Sequence, residues 1–345
     1  MEQIRLQRKL DSNKIECLAC AHNCKILPNF TGLCGVRQNI NGKLKLLVEG
    51  KIVAENVDPI EKKPFFHFLP GSSSYSLGTL GCNFFCKNCQ NFDISQIFGI
   101  KGKVKQYKEI FWGKKLSPVE AVKKAIAYGC ESIAYTYNEP TIWVEYALEI
   151  MKLAENNGLK NVWVSNGFMS EKTFNYIYPY LDAINIDIKS FRDSFYKENC
   201  GARLKPVLKT CERVVKKRIH LEITTLVIPA LSDDEKMLKE LALFIKQKLG
   251  AETPWHISAF SSAISWKLQH LPDTSFEILK KVYEISKKVG LKYVYLGNVF
   301  SKEFESTYCP KCGKIVIERE SYFIKNFVKK GKCPFCNYGI KGIYG

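Results

Sequence analysis

Cysteine is the residue type in this sequence whose number and spacing most clearly indicate chemistry. The 345-residue chain contains 14 cysteines, and all but three of them are clustered. We name the clusters the N-terminal group (Cys17, Cys20, Cys24 and Cys34), the middle group (Cys82, Cys86 and Cys89) and the C-terminal group (Cys309, Cys312, Cys333 and Cys336). In a cytoplasmic chain, cysteines clustered in this way are expected to hold metal rather than to form disulfides. The sequence therefore predicts three metal sites.

The middle group differs from the other two because it has three cysteines and no fourth one nearby. A structural zinc ion takes four protein ligands. A cubane of four irons also offers four ligand positions, and thiolates are its usual ligands. The spacing Cys82-x3-Cys86-x2-Cys89 allows one tight loop to supply three thiolates, which leaves one iron open to another ligand. The middle group therefore predicts an iron–sulfur cluster with an open iron.

A repeated pattern of β-rich run, turn and helical segment extends from about residue 72 to residue 300. The β-rich runs are almost continuously apolar, which is typical of strands buried on both faces of a parallel sheet. These runs are 72–80, 132–138, 161–166, 183–188, 220–228, 255–260 and 292–297. Parallel strands joined by right-handed crossover helices curl into a barrel. We therefore predict an α/β fold with a partial (β/α)6-type TIM barrel.

Capping boxes predict where three of the intervening helices begin. Each box has a Ser or Thr followed three residues later by Glu, and the first box also has a proline at the first helical position. The boxes are Ser117 with Glu120, Ser232 with Glu235, and Thr274 with Glu277. We expect Ser117, Ser232 and Thr274 to be the N-cap residues.

Polar residues cluster where the predicted strands end, and the middle cysteine group follows the first strand on the same side. In a barrel of parallel strands, chemistry belongs at the carboxyl ends. The polar residues are Asn138 and Glu139, Ser165 and Asn166, Asp187 and Lys189, and His256 within the sixth strand. Each of them alone could be a helix cap or a hydrogen-bonded core residue. Their recurrence at successive strand ends favours a ligand site.

The cysteine spacing and the strand-end residues together resemble those of radical S-adenosylmethionine (SAM) enzymes. Over most of its length the chain resembles the AmmeMemoRadiSam system radical SAM enzymes, which are relatives of the pyruvate formate-lyase activating enzymes. The resemblance implies a [4Fe–4S] cluster on Cys82, Cys86 and Cys89 whose open iron binds the amino and carboxylate groups of SAM. It also implies that one electron cleaves SAM to a 5′-deoxyadenosyl radical, which abstracts hydrogen from a protein or a small molecule.

The same resemblance implies roles for the strand-end residues. Asn138 and Glu139 are similar to the second half of a Gly-Gly-Glu-Pro segment that holds the SAM amino group. Asp187 and Lys189 resemble an Asp-Leu-Lys motif, in which the carboxylate can accept from ribose hydroxyls and the lysine can meet the methionine carboxylate. Two further residues, Asn166 and His256, are similar to a Thr-Asn-Gly strand end and to a strand-borne histidine near the cofactor.

Two positions depart from the family pattern. Tyr137-Asn138 replaces the paired glycines, and Asn88 stands where the family usually has an aromatic residue packed near the adenine. Neither change affects the three expected iron ligands.

The C-terminal group has the spacing of a zinc ribbon. Cys309-Pro-Lys-Cys312 and Cys333-Pro-Phe-Cys336 each form a Cys-x2-Cys knuckle, for which structural zinc is the usual occupant. Rubredoxin-like iron is the alternative. The segment between the knuckles is short and polar, so we expect metal binding to supply its folding energy.

The N-terminal group also offers four thiolates, from Cys17, Cys20, Cys24 and Cys34. We predict zinc, because this group precedes the barrel and can close a structural shell of four ligands. An auxiliary iron–sulfur cluster that relays electrons is the alternative. His22 could replace one cysteine as a ligand. The resemblance supports two flanking groups, because the AmmeMemoRadiSam chains carry both.

These assignments divide the chain into a cysteine-rich metal-binding module (1–70), a radical SAM core (71–300) and a zinc-ribbon-like domain (301–345). The start of the sequence lacks the apolar core of a secretory signal, and no apolar run reaches the roughly 18 residues of a membrane helix. We therefore expect a cytoplasmic protein with no membrane contact. The expected partners are an electron donor such as ferredoxin or flavodoxin, and a protein substrate or Memo-like and AMMECR-like proteins.

The chain is strongly basic, since 52 Lys and Arg against 34 Asp and Glu give a net charge of +18. Such a field attracts acidic partners or nucleic acid. The excess is mostly scattered lysine, which is typical of solvated surfaces, so we do not expect nucleic-acid binding. Two alternatives stay open: an activase of glycyl radical enzymes, and, in another class, a zinc-dependent protein that binds nucleic acid.

Overall fold

The computed structural model of the chain describes residues 6–97 and 112–345. Its first part consists of short strands that pair locally. The first three form an antiparallel sheet, the next two form a hairpin, and the sixth pairs with a later strand, β9 (Lys114–Lys115). These six strands are β1 (Gln7–Lys9), β2 (Ile15–Cys17), β3 (Lys25–Ile26), β4 (Arg37–Ile40), β5 (Lys43–Leu46) and β6 (Lys51–Ile52).

An eight-stranded sheet forms the centre of the molecule. The edge strand β7 (Ala54–Pro59) is antiparallel to its neighbour, and the seven strands that follow in the sheet are mutually parallel. The parallel strands, in their order across the sheet, are β8 (Ser73–Gly78), β10 (Ser132–Tyr135), β11 (Lys160–Ser165), β12 (Ala183–Asp187), β13 (His220–Val227), β14 (Trp255–Ala259) and β15 (Val294–Gly297). Each of the seven predicted runs overlaps one of these strands, and the predicted α/β fold with a partial barrel is confirmed.

Helices connect the parallel strands and cover one face of the sheet. They are α1 (Phe92–Ser95), α2 (Pro118–Ala127), α3 (Val144–Asn156), α4 (Glu171–Ile177), α5 (Asp193–Phe195), α6 (Leu204–Lys216), α7 (Glu235–Phe244), α8 (Phe276–Val289) and α9 (Lys302–Glu305). Large apolar residues of the strands, among them Trp163, Ile184 and Trp255, belong to the main hydrophobic core. No helix in the described ranges is both long enough and apolar enough to cross a bilayer.

One of the three predicted N-caps is confirmed and two are wrong. Ser117 forms the complete capping box with Glu120 at the start of α2. The N-caps of α7 and α8 are instead Asp234 and Ser275. The predicted residues bond to strand ends: Ser232 Oγ accepts from Ile228 N–H, and the Thr274 hydroxyl donates to the Val227 carbonyl.

The other face of the sheet is filled by the segment between β7 and β8. Phe65 and Phe68 pack against Ala134, Val162 and Ala183, which are register neighbours on one face of three strands. Small strand residues leave room for these rings. The interior of the barrel is therefore filled by side chains that do not belong to its parallel strands.

The C-terminal part forms a small antiparallel sheet that docks on the barrel. It consists of β16 (Thr307–Tyr308), β17 (Ile315–Glu320) and β18 (Phe323–Asn326). Arg319 of β17 is fully buried. Its guanidinium donates to the Phe66 carbonyl and to Thr307 Oγ1, and it stacks on the Phe66 ring. A buried cation thus joins the small sheet to the barrel.

Candidate functional site

The middle cysteine group lies in the loop that follows β8. Its conformation is fixed by backbone hydrogen bonds to the segment before α6: Phe85 N–H donates to the Cys200 carbonyl at 2.8 Å, and Lys87 N–H donates to the Asn199 carbonyl at 2.9 Å. Gly81 N–H donates to the Ile94 carbonyl and closes the loop from the other side. We call residues 81–91 the three-cysteine loop, and the strand ends around it the carboxyl rim.

The three thiols of this loop are shielded from solvent. Cys86 is buried, and Cys82 and Cys89 are half-buried. Burial and the nearby Glu139 and Cys86 charges raise the pKa of the Cys82 thiol well above its ordinary value. Phe84 N–H donates to Cys82 Sγ. Three such thiols become thiolates together only when a cationic centre compensates their charge, which is what a metal cluster does.

Asn138 connects the rim to the three-cysteine loop. Its Nδ2 donates to the Thr79 carbonyl at 2.7 Å and to the Gly81 carbonyl at 2.8 Å. Its Oδ1 is buried, and among the described residues it has no hydrogen-bond partner. A buried acceptor without a partner is costly, so Asn138 Oδ1 is available to a ligand that donates a hydrogen bond to it.

The preceding residue, Tyr137, holds a left-handed backbone conformation with φ of 68°. That conformation favours glycine, which fits the family's paired glycines at this position. Here the side chain is anchored instead: the Tyr137 hydroxyl donates to Asp58 at 2.7 Å. Asn91 Nδ2 donates to the Tyr137 carbonyl at 2.6 Å, which ties the strained residue to the three-cysteine loop. Backbone strain of this kind is typical of functional sites.

Glu139 is completely buried and joins the ends of β10 and β11. Its carboxylate accepts from Thr141 N–H, from Ser165 Oγ and, at 2.8 Å, from Asn166 N–H. Burial raises the pKa of this carboxyl, and the hydrogen bonds oppose that effect. Glu139 therefore fixes the backbone of the rim, and its predicted contact to SAM stays a prediction.

Asn166 reaches the three-cysteine loop through a residue that the sequence-based reasoning missed. Its Nδ2 donates at 2.7 Å to Oδ1 of Asn83, which lies between Cys82 and Cys86. Asn83 Nδ2 is buried and has no partner among the described residues. The sequence signal that could have identified Asn83 was its position between two cysteines of the middle group. Asn83 and Asn138 thus present one donor and one acceptor without partners beside the same loop.

Asp187 and Lys189 lie at the end of β12 and form an ion pair, with Lys189 Nζ 2.9 Å from Asp187 Oδ2. Burial lowers the pKa of Lys189, but the charges of Asp187 and Cys86 raise it well above its ordinary value. The electrostatic interaction between Lys189 and Cys86 indicates that this ion pair lies near the three-cysteine loop. Cys200 is fully buried beside Cys86 and interacts with it.

His256 takes part in a different network. Its Nε2 lies 2.6 Å from a carboxylate oxygen of the buried Glu222, and its ring contacts Phe66 and Tyr295. Glu222 also accepts from His220 and from the backbone of the segment between β7 and β8. The contacts of His256 therefore join it to the filled interior of the barrel, and its predicted role near the cofactor stays a prediction.

Asn88, the residue that departs from the family's aromatic, bonds to the segment before α6. Its Oδ1 accepts from Asn199 Nδ2 at 2.8 Å. Trp266, from another part of the chain, contacts the loop through its backbone, because its backbone N–H donates to the Cys89 carbonyl at 3.1 Å.

Comparison with known proteins identifies the domain that carries this site. Residues 77–242 match the family model described as the Radical SAM superfamily. The match runs from the end of β8 to α7 and contains the three-cysteine loop, Asn138, Glu139, and the ends of β11 and β12. The chain contains a radical SAM superfamily domain.

Relatives of the radical SAM chain extend the comparison beyond this domain. Over 343 residues it is 40% identical to the uncharacterized protein MJ0808 of Methanocaldococcus jannaschii, with 99% of each chain covered, so the two belong to one family. It is 22% identical over 226 residues to the pyruvate formate-lyase-activating enzyme of Clostridium pasteurianum, covering 61% of this chain and 88% of that enzyme. The structure of Streptococcus suis SuiB bound to precursor peptide SuiA aligns with a TM-score of 0.50 at 11% identity, covering 70% of this chain and 51% of SuiB, and supports the fold alone.

The C-terminal group of the radical SAM chain is gathered tightly enough for one metal ion. Its four sulfurs all lie within 4.8 Å of one another, and they form the only such set of three or more His, Cys, Asp or Glu ligands among the described residues. The pairs Cys309–Cys336 and Cys312–Cys333 are 3.5 and 3.8 Å apart. Tetrahedral zinc with bonds of about 2.3 Å separates its sulfurs by about 3.8 Å. The four predicted ligands therefore lie together, and metal binding by them, with zinc as the occupant, stays a prediction.

The four cysteines of the N-terminal group also come together, next to the radical SAM domain. Cys17, Cys20 and Cys34 are buried and Cys24 is half-buried. Cys17 N–H donates to the Cys24 carbonyl at 2.9 Å. Burial, together with the charges of Cys17 and Cys24, raises the pKa of the Cys20 thiol well above its ordinary value. The structure thus brings together each of the three predicted groups.

Proposed function

We propose that this protein is a radical SAM enzyme in which Cys82, Cys86 and Cys89 hold a [4Fe–4S] cluster and the open iron binds SAM. One observation carries the proposal: the three-cysteine loop shares the carboxyl rim with Asn138, whose buried Oδ1 lacks a partner among the described residues. Three thiols suit an iron–sulfur cluster with an open position. The superfamily match supports the same chemistry.

The polar atoms of the rim fit SAM in kind. The amino group of SAM is a donor, which suits the free acceptor Asn138 Oδ1, and its carboxylate is an acceptor, which suits the free donor Asn83 Nδ2. Lys189 adds a positive charge beside the loop, and Asp187 adds an acceptor that is partly exposed. The polar atoms of the rim therefore match both the amino group and the carboxylate group of SAM.

When bound and reduced, the cluster supplies the electron that cleaves the sulfonium of SAM to methionine and a 5′-deoxyadenosyl radical, which abstracts hydrogen from a substrate. The protein orients the cofactor and excludes water from it. In this proposal Glu139 holds the rim backbone in place, and the buried loop protects the thiolates. An electron donor such as ferredoxin or flavodoxin supplies the electron.

The substrate is a protein or a small molecule. Similarity to a pyruvate formate-lyase-activating enzyme supports a protein substrate, in which case the product is a glycyl radical on a partner chain. The two flanking cysteine groups support an enzyme of the AmmeMemoRadiSam type, and Memo-like and AMMECR-like proteins are then the candidate partners. For either alternative we propose oxidoreductase chemistry in the cytoplasm.

The test is formation of 5′-deoxyadenosine and methionine from SAM by the anaerobically reconstituted, dithionite-reduced chain. We expect the wild type to form both products in equal amounts. The variant C82A/C86A/C89A should form neither, whereas the matched control Cys130→Ala, a buried thiol outside the three groups, should retain activity. Zinc in place of iron in the middle group, or no 5′-deoxyadenosine from the reconstituted wild type, would refute the proposal and favour the zinc-dependent nucleic-acid-binding alternative.

A second measurement separates the substrate classes. A candidate protein partner that acquires a glycyl radical signal in electron paramagnetic resonance supports the activase. Deuterium exchange between 5′-deoxyadenosine and a small molecule supports the other class.

A further inference from the structure

The N-terminal cysteine group is docked on the carboxyl rim, next to the three-cysteine loop. Cys20 pairs with Met169 in an isolated antiparallel bridge, and Ala21 N–H donates to the Phe168 carbonyl at 2.9 Å. On the same segment, Ser170 N–H donates to the Ala19 carbonyl at 3.1 Å. Phe168 and Met169 closely follow Asn166, which contacts Asn83 in the three-cysteine loop. The N-terminal group therefore lies at the functional end of the barrel.

A direct hydrogen bond connects the two groups. His22 lies two residues after Cys20, and its Nε2 is 2.8 Å from the carbonyl oxygen of Asn83, the residue after Cys82. A carbonyl only accepts, so His22 Nε2 carries the proton. The rings of His22 and Phe84 both contact Phe168, with centroid distances of 4.8 and 5.2 Å. Hydrogen-bonded and packed residues therefore form a continuous path from the N-terminal group to the middle group.

The N-terminal group has four thiols, and a cluster of four irons offers four ligand positions, so these cysteines can fill every position. Zinc has no redox chemistry, whereas an iron–sulfur cluster carries electrons. The position of this group beside the three-cysteine loop therefore favours a cluster.

The surroundings of the N-terminal group suit a buried, negatively charged centre. Arg37 is almost fully buried, donates through Nε to the Ile142 carbonyl at 2.8 Å, and pairs with Glu145. Its positive charge lies close to Cys17 and Cys34. Hydrogen bonds and charges around the sulfurs are what set the potential of an iron–sulfur centre.

We propose that Cys17, Cys20, Cys24 and Cys34 hold a second [4Fe–4S] cluster that passes electrons to the cluster on Cys82, Cys86 and Cys89. All four irons have protein ligands, so this cluster has no open position and carries electrons instead of binding substrate. In each transfer it is reduced by one electron from a low-potential protein donor. It is reoxidised when that electron passes to the middle-group cluster. The transfer role rests on the proposed function, whereas the metal assignment does not.

Metal analysis of the variant C82A/C86A/C89A tests the assignment, because this variant leaves the N-terminal group untouched. After anaerobic reconstitution with iron, sulfide and an equal concentration of zinc, we expect roughly four irons and four sulfides per chain. After dithionite reduction we expect the paramagnetic signal of a [4Fe–4S]+ cluster, unchanged by SAM. A variant that binds zinc at the N-terminal group and no iron would overturn the proposal, whether or not the wild type cleaves SAM.

The electron-transfer role is tested with the variant C20A/C24A and two reductants. Dithionite, a small molecule, should still support SAM cleavage by this variant, but reduced flavodoxin should not. The variant His22→Ala should keep the iron content of the wild type and lose rate with flavodoxin alone. The control C130A/C211A should match the wild type with both reductants. Cleavage by C20A/C24A with flavodoxin at the wild-type rate would overturn the transfer role, and absence of cleavage by the wild type would overturn the proposed function instead.

Discussion

At the three-cysteine loop, two amide side chains each have one buried atom without a partner among the described residues: Asn138 Oδ1 and Asn83 Nδ2. The other atoms of both amides are bonded, to the Gly81 carbonyl and to Asn166 respectively. Each amide is therefore held in place with a free acceptor or donor beside the thiols. Such an arrangement has its binding groups oriented before the ligand arrives, which lowers the entropic cost of binding.

We predict that Asn138→Ala weakens SAM binding by roughly 10- to 100-fold, corresponding to the loss of a buried hydrogen bond to a charged group, about 1.5–3 kcal/mol. Equilibrium binding to the reconstituted protein measures the effect. The control Asn157→Ala removes an exposed amide that bonds only to the Leu153 carbonyl of its own helix. Equal affinity of Asn138→Ala and wild type would show that Oδ1 does not bind SAM.

The sequence indicated which cysteines form groups, because the spacing of ligands along the chain is a local property. It did not predict Asn83, because the importance of that amide depends on Asn166, 83 positions away. The same reason explains why Ser232 and Thr274 were wrongly predicted to be N-cap residues. Both hydroxyls had local capping patterns, but they bond to the ends of neighbouring strands, which only the folded sheet brings within reach.

At the scale of elements, Glu139 determines how the ends of β10 and β11 meet. One carboxylate accepts from the turn after β10 and from both Ser165 and Asn166. Gly167 follows with φ of 70°, where a Cβ would lie 2.8 Å from Ile186 of β12. The rim is therefore tightly constrained in three successive strands. Sequence patterns predicted these strands, whose apolar runs are local, and they singled out Glu139 for a role at SAM. They did not predict that its buried carboxylate links the strand ends.

Glu139→Gln should destabilise the fold by about 1–3 kcal/mol, because the new amide group places a donor against backbone and hydroxyl donors. Chemical denaturation followed by circular dichroism under anaerobic conditions measures the change. The exposed Glu155→Gln on α3 serves as the control and should change stability by less than about 0.5 kcal/mol. If both variants unfold at the same denaturant concentration, Glu139 does not hold the rim.

At the scale of the whole molecule, the C-terminal sheet completes the barrel interior. Arg319 of β17 stacks on Phe66 and lies 3.8 Å from the buried carboxylate of Glu61. The isolated bridge between Phe68 and Ile343 adds a second attachment of the C-terminal segment. The sequence indicated a separate ribbon from its four cysteines. Its docking could not be predicted, because it depends on one arginine inserting among residues more than 250 positions away.

Arg319→Ala should cost about 3–5 kcal/mol, because it leaves the Glu61 carboxylate buried without its cation. The exposed control Arg203→Ala, which removes a surface ion pair with Asp193, should cost at most about 1 kcal/mol. Denaturation midpoints of both variants test the difference. Adding Glu61→Gln to Arg319→Ala should restore part of the loss, and no recovery would contradict the role given to this pair.

Removal of metal from the C-terminal group should unfold the small sheet, because metal binding supplies the folding energy of such a segment. We expect a zinc chelator to make residues 301–345 sensitive to limited proteolysis while 71–300 stay protected. Mass spectrometry of the fragments locates the cleavage sites. A cleavage pattern unaffected by the chelator would show that the sheet folds without the metal.

The central claim is that the three-cysteine loop leaves one iron open for SAM. Electron–nuclear double resonance on the reduced protein tests it most directly, with nitrogen-15 in the amino group of SAM. We predict a nitrogen coupling to the cluster in the wild type and in C20A/C24A, and none in C82A/C86A/C89A. A cluster signal in the wild type that shows no coupling to labelled SAM would contradict the claim.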